Sequence, residues 1–471
     1  MNMAETIMQN IKKTIVLILS ALLLAGCAVT ESTKKNMEDN AMEKLFKEEP
    51  ISKTKVINIT DLIADPDDEQ SLVRMFVTCN QVDLKGVIVS TSCWRPIQDQ
   101  DGMNRLLPII DAYGEVLSNL KVHADGYPSL EYIQSIAVMG QTGYSMDDVG
   151  EGKDSDGSEL IISVVDEDDR PTWINLWGGA NTVAQALWKV KNTRSEAEVN
   201  EFVSKLRIYD VLGQDEAGAW IVTTFPDIMY IRSTLIGGFG GSEDMKGDDY
   251  RNKIRSYGAL GALYPLRTYG AFEGDSPSFM YQIPTGMNDP EHIDWGSWGG
   301  AFSTEKKSFI RGMSAVKNEK DYDPYYMYGD CDEKDESTSR WAIAYQNDFL
   351  ARMIWTVTEK YENANHHPVA VLNGDTTMNI LEMNADAGKT VKLSAKGSSD
   401  PDGNNLSYNW YVYNVPGSYY SDVTIKGSDS EKATIVIPDD AKGKSIHVIL
   451  EIHDDGSPEL YAYRRMIINV Q

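Results

Sequence analysis

The sequence predicts two folded units: an α/β domain built on an open, mainly parallel sheet with helices on both faces, then an all-β sandwich. Three observations carry this. Residues 55–359 alternate short apolar, β-branched runs with helical stretches, as a sheet covered on both sides requires. The first run leads through an acidic loop into a helix, VINITDLIADPDDEQSLVRM at Val56–Met75. Beyond Tyr361 the period changes to two, in VKLSAKGSSDPDGNNLSYNWYVY, ATIVIP, SIHVILEIHDDG and AYRRMIINV. Repeated short strands with Pro, Gly and Asp turns over about a hundred residues suit one sandwich.

The N-terminus sets the expected compartment. Lys12 and Lys13 precede an apolar run, Thr14–Leu24, which ends in LLAGC at Leu23–Cys27. A basic start and a short apolar core form an export signal, too short for a good membrane span. LLAGC resembles the bacterial lipobox, which implies a lipoprotein signal peptide over 1–27 with lipidation at Cys27. The chain is then expected to be exported and to meet the membrane only through that lipid. Residues 28–52 are polar and charged and read as a flexible tether. The α/β domain is expected over 53–364 and the sandwich over 365–471. Asn365-His366-His367-Pro368 reads as the linker between them, open to limited proteolysis.

Within the first domain, Val56–Ile59, Lys85–Ser90 and Thr172–Trp177 read as parallel strands because they are short, apolar and β-branched. Gln70–Cys79, Met103–Tyr113 and Thr182–Val190 read as the intervening helices. Tyr127–Gly157, rich in Gly and Asp, reads as a loop over the strand ends.

Composition excludes several classes. With 71 acidic against 44 basic residues, the formal charge is −27, which argues against nucleic-acid binding. Cys79, Cys93 and Cys331 are the cysteines after Cys27, an odd number with no CxxC, so no disulfide framework or zinc site is expected. There is no GxSxG, HExxH or Walker motif. Ten Trp and 24 Tyr supply flat faces for sugar rings as well as core.

The acidic loop is the candidate site. Asp61, Asp65, Asp67 and Asp68 follow a strand, so they fall at its carboxyl end, where open α/β sheets place ligands. Clustered carboxylates repel unless solvated, protonated or neutralised by a cation, and hard oxygen donors favour calcium or magnesium. The alternative is an acidic cap on the helix N-terminus.

VINITDLIADPDDEQSLVRM, WINLWGGANTVAQAL (Trp173–Leu187), GQDEAGAWI (Gly213–Ile221), GDSPSFMYQIPTGMNDP (Gly274–Pro290), WGSWGGAF (Trp295–Phe302) and NDFLARMIW (Asn347–Trp355) together resemble a family of secreted bacterial proteins. These carry a nucleoside-hydrolase-like domain and are described as cellulose-binding. GSSDPDGNNLSYNWYVY and IHVILEIHDDGSPELYAYRR resemble that family's appended Ig/PKD-like module. Nucleoside hydrolases open with DxDPGxDD, whose aspartates hold calcium and activate a water. The resemblance sets Asp61 on the first of these and Asp67-Asp68 on the last pair. The second, the usual base and calcium ligand, falls on Ile63, and Asp65 is the candidate to fill the gap. The resemblance also implies calcium ligands at Asn181, through a backbone carbonyl, and at Asp275. The histidine expected before Asp275 is Gly274.

These expectations support two readings. In one, the protein is a lipid-anchored, calcium-assisted hydrolase of a glycosyl bond. Asp65 and Asp61 are then catalytic, Asp61, Asp67, Asp68, Asn181 and Asp275 hold metal, and Asp215, Trp177, Asn181, Trp295 and Trp298 contact a carbohydrate or nucleoside-like molecule. Trp295 and Trp298 are the favoured platforms, because a glycine-rich segment is not expected to bury tryptophan. Asp215 reads equally as a helix cap. In the other reading the pocket has lost its base at Ile63 and the protein binds glycan without catalysis. Oligomeric state is not legible.

Overall fold

The computed structural model describes residues 53–234, 239–266, 272–308 and 310–471. The signal segment, Cys27 and the tether lie outside the described residues.

An eight-stranded sheet forms the first unit: β1 (Lys55–Thr60), β2 (Asp83–Val89), β3 (Ala137–Met139), β4 (Thr172–Leu176), β5 (Leu206–Val211), β6 (Met229–Ser233), β7 (Lys307–Ser308) and β8 (Tyr326–Gly329). Their order is β3-β2-β1-β4-β5-β6-β8-β7, and every pairing is parallel except β7 with β8. The order reverses between β1 and β4, and doubly wound sheets bind ligands outside the strand ends at such a switch point. Asp61 follows β1, and the Gly178-Gly179 turn follows β4.

Every residue of β1 is buried, as expected of a central parallel strand. Side chains alternate between two cores. Val56, Val87, Val89 and Trp173 join the helices Asp67–Thr78, Gln100–His123 and Ala342–Trp355 on one face. Ile57, Ile59, Ile88 and Ile174 join Asp156–Glu167, Asn181–Thr193 and Ala217–Thr224 on the other. The expected strands and helices are present, with longer helices than the sequence pattern marked. The segment 127–157 is not a plain loop. It contains the helix Leu130–Ser135 and the edge strand β3, which is three residues long and too short to show a period.

The C-terminal unit has two sheets. One contains β10 (Thr390–Ser394), β13 (Lys432–Val436) and β12 (Ile425–Lys426); the other contains β11 (Leu406–Val412), β14 (Ser445–Asp454), β15 (Tyr461–Val470) and β9 (Leu381–Ala385). Leu393, Ile435, Trp410, Leu450 and Ile468 from both sheets share a core, making a sandwich. Its other face is not free: Tyr413, Ile449 and Tyr463 enter the core of the first unit.

The linker is therefore buried rather than accessible. Asn365 and His366 are shielded. Asn365 donates to both oxygens of Asp454 at 3.1 and 3.0 Å. His367 contacts Asp348 of the first unit at 2.8 Å and the Tyr461 carbonyl of the second at 2.8 Å. The polar, Pro-containing run that suggested a loose joint supplies hydrogen-bonding groups to an interface.

Candidate functional site

The acidic loop begins with a turn closed by Ala64 N–H donating to the Asp61 carbonyl at 3.1 Å. Ile63 occupies this turn with φ 83° and is 40% exposed, a strained conformation for a β-branched residue. The helix Asp67–Thr78 follows, so Asp67 and Asp68 stand in its first turn, where the helix dipole favours negative charge. Asp65, Asp67 and Asp68 each present a carboxylate oxygen, all within 4.8 Å of one another. Asp65 thus stands beside the Asp67-Asp68 pair, whereas the Ile63 side chain brings no oxygen to it.

Two further acids bear on this group through their charges, outside the set that lies within 4.8 Å. Asp61 is buried, its Oδ2 has no hydrogen-bond partner, and its pKa is pushed up to about 7 by burial and by the charges of Asp65 and Glu69, against a Ser92 hydrogen bond. Asp275, at the start of the helix Ser276–Met280, is buried and raised well above the carboxylate range by burial, then by Asp65 and Asp61. Asp67 is raised by burial and by Asp275; Asp68 is raised by burial, Asp61 and Asp275. The neighbouring Gly274 N–H donates to Asp67 at 3.2 Å, closing the loop across 207 residues. Asp68 accepts from Thr60 at the end of β1.

This donor set fits a divalent cation. Oxygens on opposite sides of calcium lie roughly 5 Å apart at 2.3–2.6 Å ligand distances, and the Asp65, Asp67 and Asp68 spacing matches. An unpartnered, buried Asp61 oxygen is costly without a counter-charge. Burial of several acids together demands protons or a cation.

The other expected contacts are corrected. Asn181 uses its side chain in the scaffold: Nδ2 donates to Thr91 Oγ1 at 3.1 Å and to the Gly143 carbonyl at 2.8 Å, and Oδ1 accepts from Ser90 at 3.3 Å. That side chain is committed to the scaffold, which bears on the expected substrate contact and not on the expected backbone-carbonyl ligand. Asp215 is a cap. Its oxygens accept the Asn181 and Ala217 N–H groups, each at 3.0 Å, and burial pushes its pKa up to about 7.

The three expected tryptophans are packed rather than presented, Trp177 and Trp298 by burial and Trp295 by its contacts. Trp177 is fully buried, packs on Phe279 and donates Nε1–H to Ser278 at 2.8 Å, which fixes the helix behind Asp275. Trp298 is buried in the first core. Trp295 stacks on His292 at 3.9 Å, meets His447 of β14 edge-on and lies under the Arg465 guanidinium, so it belongs to the interface between the units. The glycines around them mark close packing rather than exposure: a Cβ on Gly299 falls 2.1 Å from the Pro277 carbonyl.

Sequence reasoning missed the loop after β2. Ser92 lies close enough to Asp61 to lower its pKa against burial, and the Cys93 thiol is pushed up to about 12 by burial and by Asp61 and Asp215. Trp94, next in the chain, is 52% exposed. The strand-end rule applied to β1 would have flagged STSCWRP equally.

The fold and site define a class: an α/β unit like the nucleoside hydrolases, joined to a β-sandwich. Residues 55–302 match the family described as cellulose-binding Sde182, nucleoside hydrolase-like domain, and residues 390–470 match the cellulose-binding protein Sde0182 C-terminal domain. The chain belongs to this family. It is similar to a nucleoside hydrolase-related protein from Saccharophagus degradans that is associated with carbohydrate metabolism. That likeness has 49% identity, covers 89% of this chain and 100% of the other, and has a TM-score of 0.84. A plant nucleoside hydrolase, PpNRh1, matches at 12% identity over 63% of this chain and 98% of its own, with a TM-score of 0.33. No curated protein gives a significant match.

Proposed function

We propose that this protein is a divalent-cation-assisted hydrolase of a carbohydrate glycosyl bond, anchored at the cell envelope through a lipid on Cys27. One observation carries the catalytic part: Asp65, Asp67 and Asp68 converge within 4.8 Å of one another beyond the end of β1, beside the buried Asp61, whose Oδ2 is unpartnered. The cellulose-binding description of the family, and the association of the Saccharophagus degradans relative with carbohydrate metabolism, support a sugar ligand.

Asp65, Asp67 and Asp68, with oxygens within 4.8 Å of one another, are the core of the calcium site, and Asp61 and Asp275 are the further acids to join them. When bound, the cation supplies a Lewis acid that acidifies and orients a water. Asp65, less buried than the other four, is the residue that would take the proton from an attacking water, the departing oxygen being protonated from solvent. The remaining negative charge stabilises an oxocarbenium-like transition state at the anomeric carbon. Ile63 and Gly274 favour a second reading, a glycan binder without turnover, because neither takes nor gives a proton.

Calcium titration of the full chain by calorimetry, with hydrolysis assays on nucleosides and cello-oligosaccharides, separates the readings. Calcium uptake lost in the Asp67→Asn/Asp68→Asn variant, together with sugar release, supports the hydrolase. Sugar binding without release supports the binder. No calcium uptake by the unsubstituted chain rejects the cation site. Cys27→Ser should abolish membrane retention; a variant that still fractionates with membranes rejects the anchor.

A further inference from the structure

We propose that Trp94, exposed on a loop joined to the Ile63 turn, is a stacking subsite for a hexopyranose ring adjoining the sugar bound at the carboxylates, so that the site takes a β-linked oligosaccharide rather than a nucleoside. This rests on the carbohydrate reading above and adds where the chain lies.

All three side chains are exposed: Trp94 by 52%, Ile97 by 73% and Ile63 by 40%. They lie on two turns that meet at the acidic pocket. Ser92, close enough to Asp61 to lower its pKa against burial, accepts the Trp94 and Arg95 N–H groups at 3.0 and 3.1 Å. Gln98 donates to the Leu62 carbonyl at 3.2 Å, joining the Trp94 loop to the Ile63 turn. The loop is pinned on its other side as well. Cys93 N–H donates to the Gln214 carbonyl at 2.9 Å, Gln98 N–H donates to the Thr142 carbonyl at 3.0 Å, and Ile97 pairs with Gly143.

An indole held on a braced loop presents a fixed flat face and loses little entropy on binding. Its neighbours say what it faces. Two residues back in the chain, Ser92 bears on Asp61, whose unpartnered Oδ2 and the neighbouring carboxylates suit hydroxyl donors or a cation shared with them. A β-linked hexopyranose offers both surfaces, with equatorial hydroxyls at its edge and apolar C–H groups on its face. Half of Trp94 is open to solvent, which leaves indole surface for a sugar ring to cover. Apolar groups around a few convergent polar ones are the ordinary make-up of a small-molecule site.

The test uses the full chain in calcium, titrated with glucose, cellobiose and cellotetraose by calorimetry. Cellotetraose should bind more tightly than glucose. Trp94→Ala should weaken cellotetraose about tenfold, the scale of one aromatic contact, and Trp94→Phe should weaken it less. Calcium affinity should be unchanged in both variants. Equal cellotetraose binding by Trp94→Ala and the unsubstituted chain overturns the platform and leaves the cation site standing, as does glucose binding as tightly as cellotetraose. Absence of oligosaccharide binding by the unsubstituted chain also overturns it. Loss of calcium affinity in Trp94→Ala together with sugar binding counts against it, since Trp94 would then act through the acidic loop. Sugar binding that depends on Trp94 without any calcium uptake supports the platform and rejects the cation.

Discussion

Arg74 and Glu273 form a fully buried ion pair that joins the helix carrying Asp67 and Asp68 to the turn carrying Asp275. Arg74 Nη2 also donates to Glu273 at 3.1 Å, and Nη1 donates to the Tyr345 carbonyl at 3.0 Å. Tyr264 and Ser276 donate to the same carboxylate at 2.5 and 2.9 Å. The phenyl ring of Phe349 lies 4.1 Å from the guanidinium carbon. Both charges are thus bonded on several sides, the condition under which a buried pair is tolerated. One helix therefore supplies two acids and positions a third.

Arg74→Ala should destabilise the protein by about 3–5 kcal/mol, because it leaves Glu273 charged, buried and without its partner. Arg74→Met with Glu273→Gln should recover part of that loss. The same double variant should bind calcium more weakly, since the turn before Asp275 loses its tether. Denaturant midpoints and calcium calorimetry measure both effects. A loss below about 1 kcal/mol in Arg74→Ala, the range of exposed pairs, would show that the pair is not buried as described.

The interface between the units should be acid-sensitive through His447. Burial, then the Arg465 guanidinium and His292, lower its pKa from 6.5 to about 3. The unfolded chain takes up that proton below pH about 6.5, whereas the folded chain resists it until about 3. The contribution is therefore complete above about 6.5 and is lost progressively as the pH falls toward 3. The buried acids with raised pKa work in the opposite sense, so the His447 contribution is read as a difference: between pH 7 and 5 the unsubstituted chain should lose melting temperature relative to His447→Gln. An identical slope in the variant refutes the assignment.

The two units should unfold together. The linker residues Asn365 and His366 are buried, Asp348 accepts from Arg352 and from His367 at 2.8 Å each, and Arg465 of β15 donates to the Met287 and Trp295 carbonyls. Native-state proteolysis should leave 359–371 uncut, and calorimetry should show one transition. Early release of a stable C-terminal fragment of about 100 residues, the size of one sandwich, would separate them.

Much of the sheet was legible because central parallel strands must be apolar on both faces, and Val56–Ile59 and Thr172–Trp177 carry that signal locally. The Asp67–Asp68 pair was legible for a similar reason, as acids at a helix start after a strand. Asp275 was reached by resemblance alone, since nothing within its own segment shows that it folds back on Asp67. Arg74 looked like one more charge on a helix, and its partner lies 199 residues away. The tryptophans were misread because glycine density reports either an open loop or a backbone pressed against another. At Gly299 the contact with Pro277 decides for the second.

Gly178 shows that same close approach at the site. A Cβ there meets the Asp61 Cβ at 2.8 Å and the Thr91 carbonyl at 3.0 Å. Neither is the far end of a flexible side chain, so the chain must move. Gly178→Ala should therefore displace Asp61 or the β4 turn, costing roughly 1–3 kcal/mol as overpacking does. Because Asp61 carries the unpartnered oxygen, calcium affinity should fall more than stability alone explains. Gly150, where an added Cβ would meet nothing within 4 Å but φ is 146°, gives a control for backbone strain without crowding. Calcium titration of Gly178→Ala and Gly150→Ala compares the two. Weaker binding in the first with unchanged binding in the second supports the placement of Asp61 against the turn. Equal affinity in both removes Asp61 from the cation site.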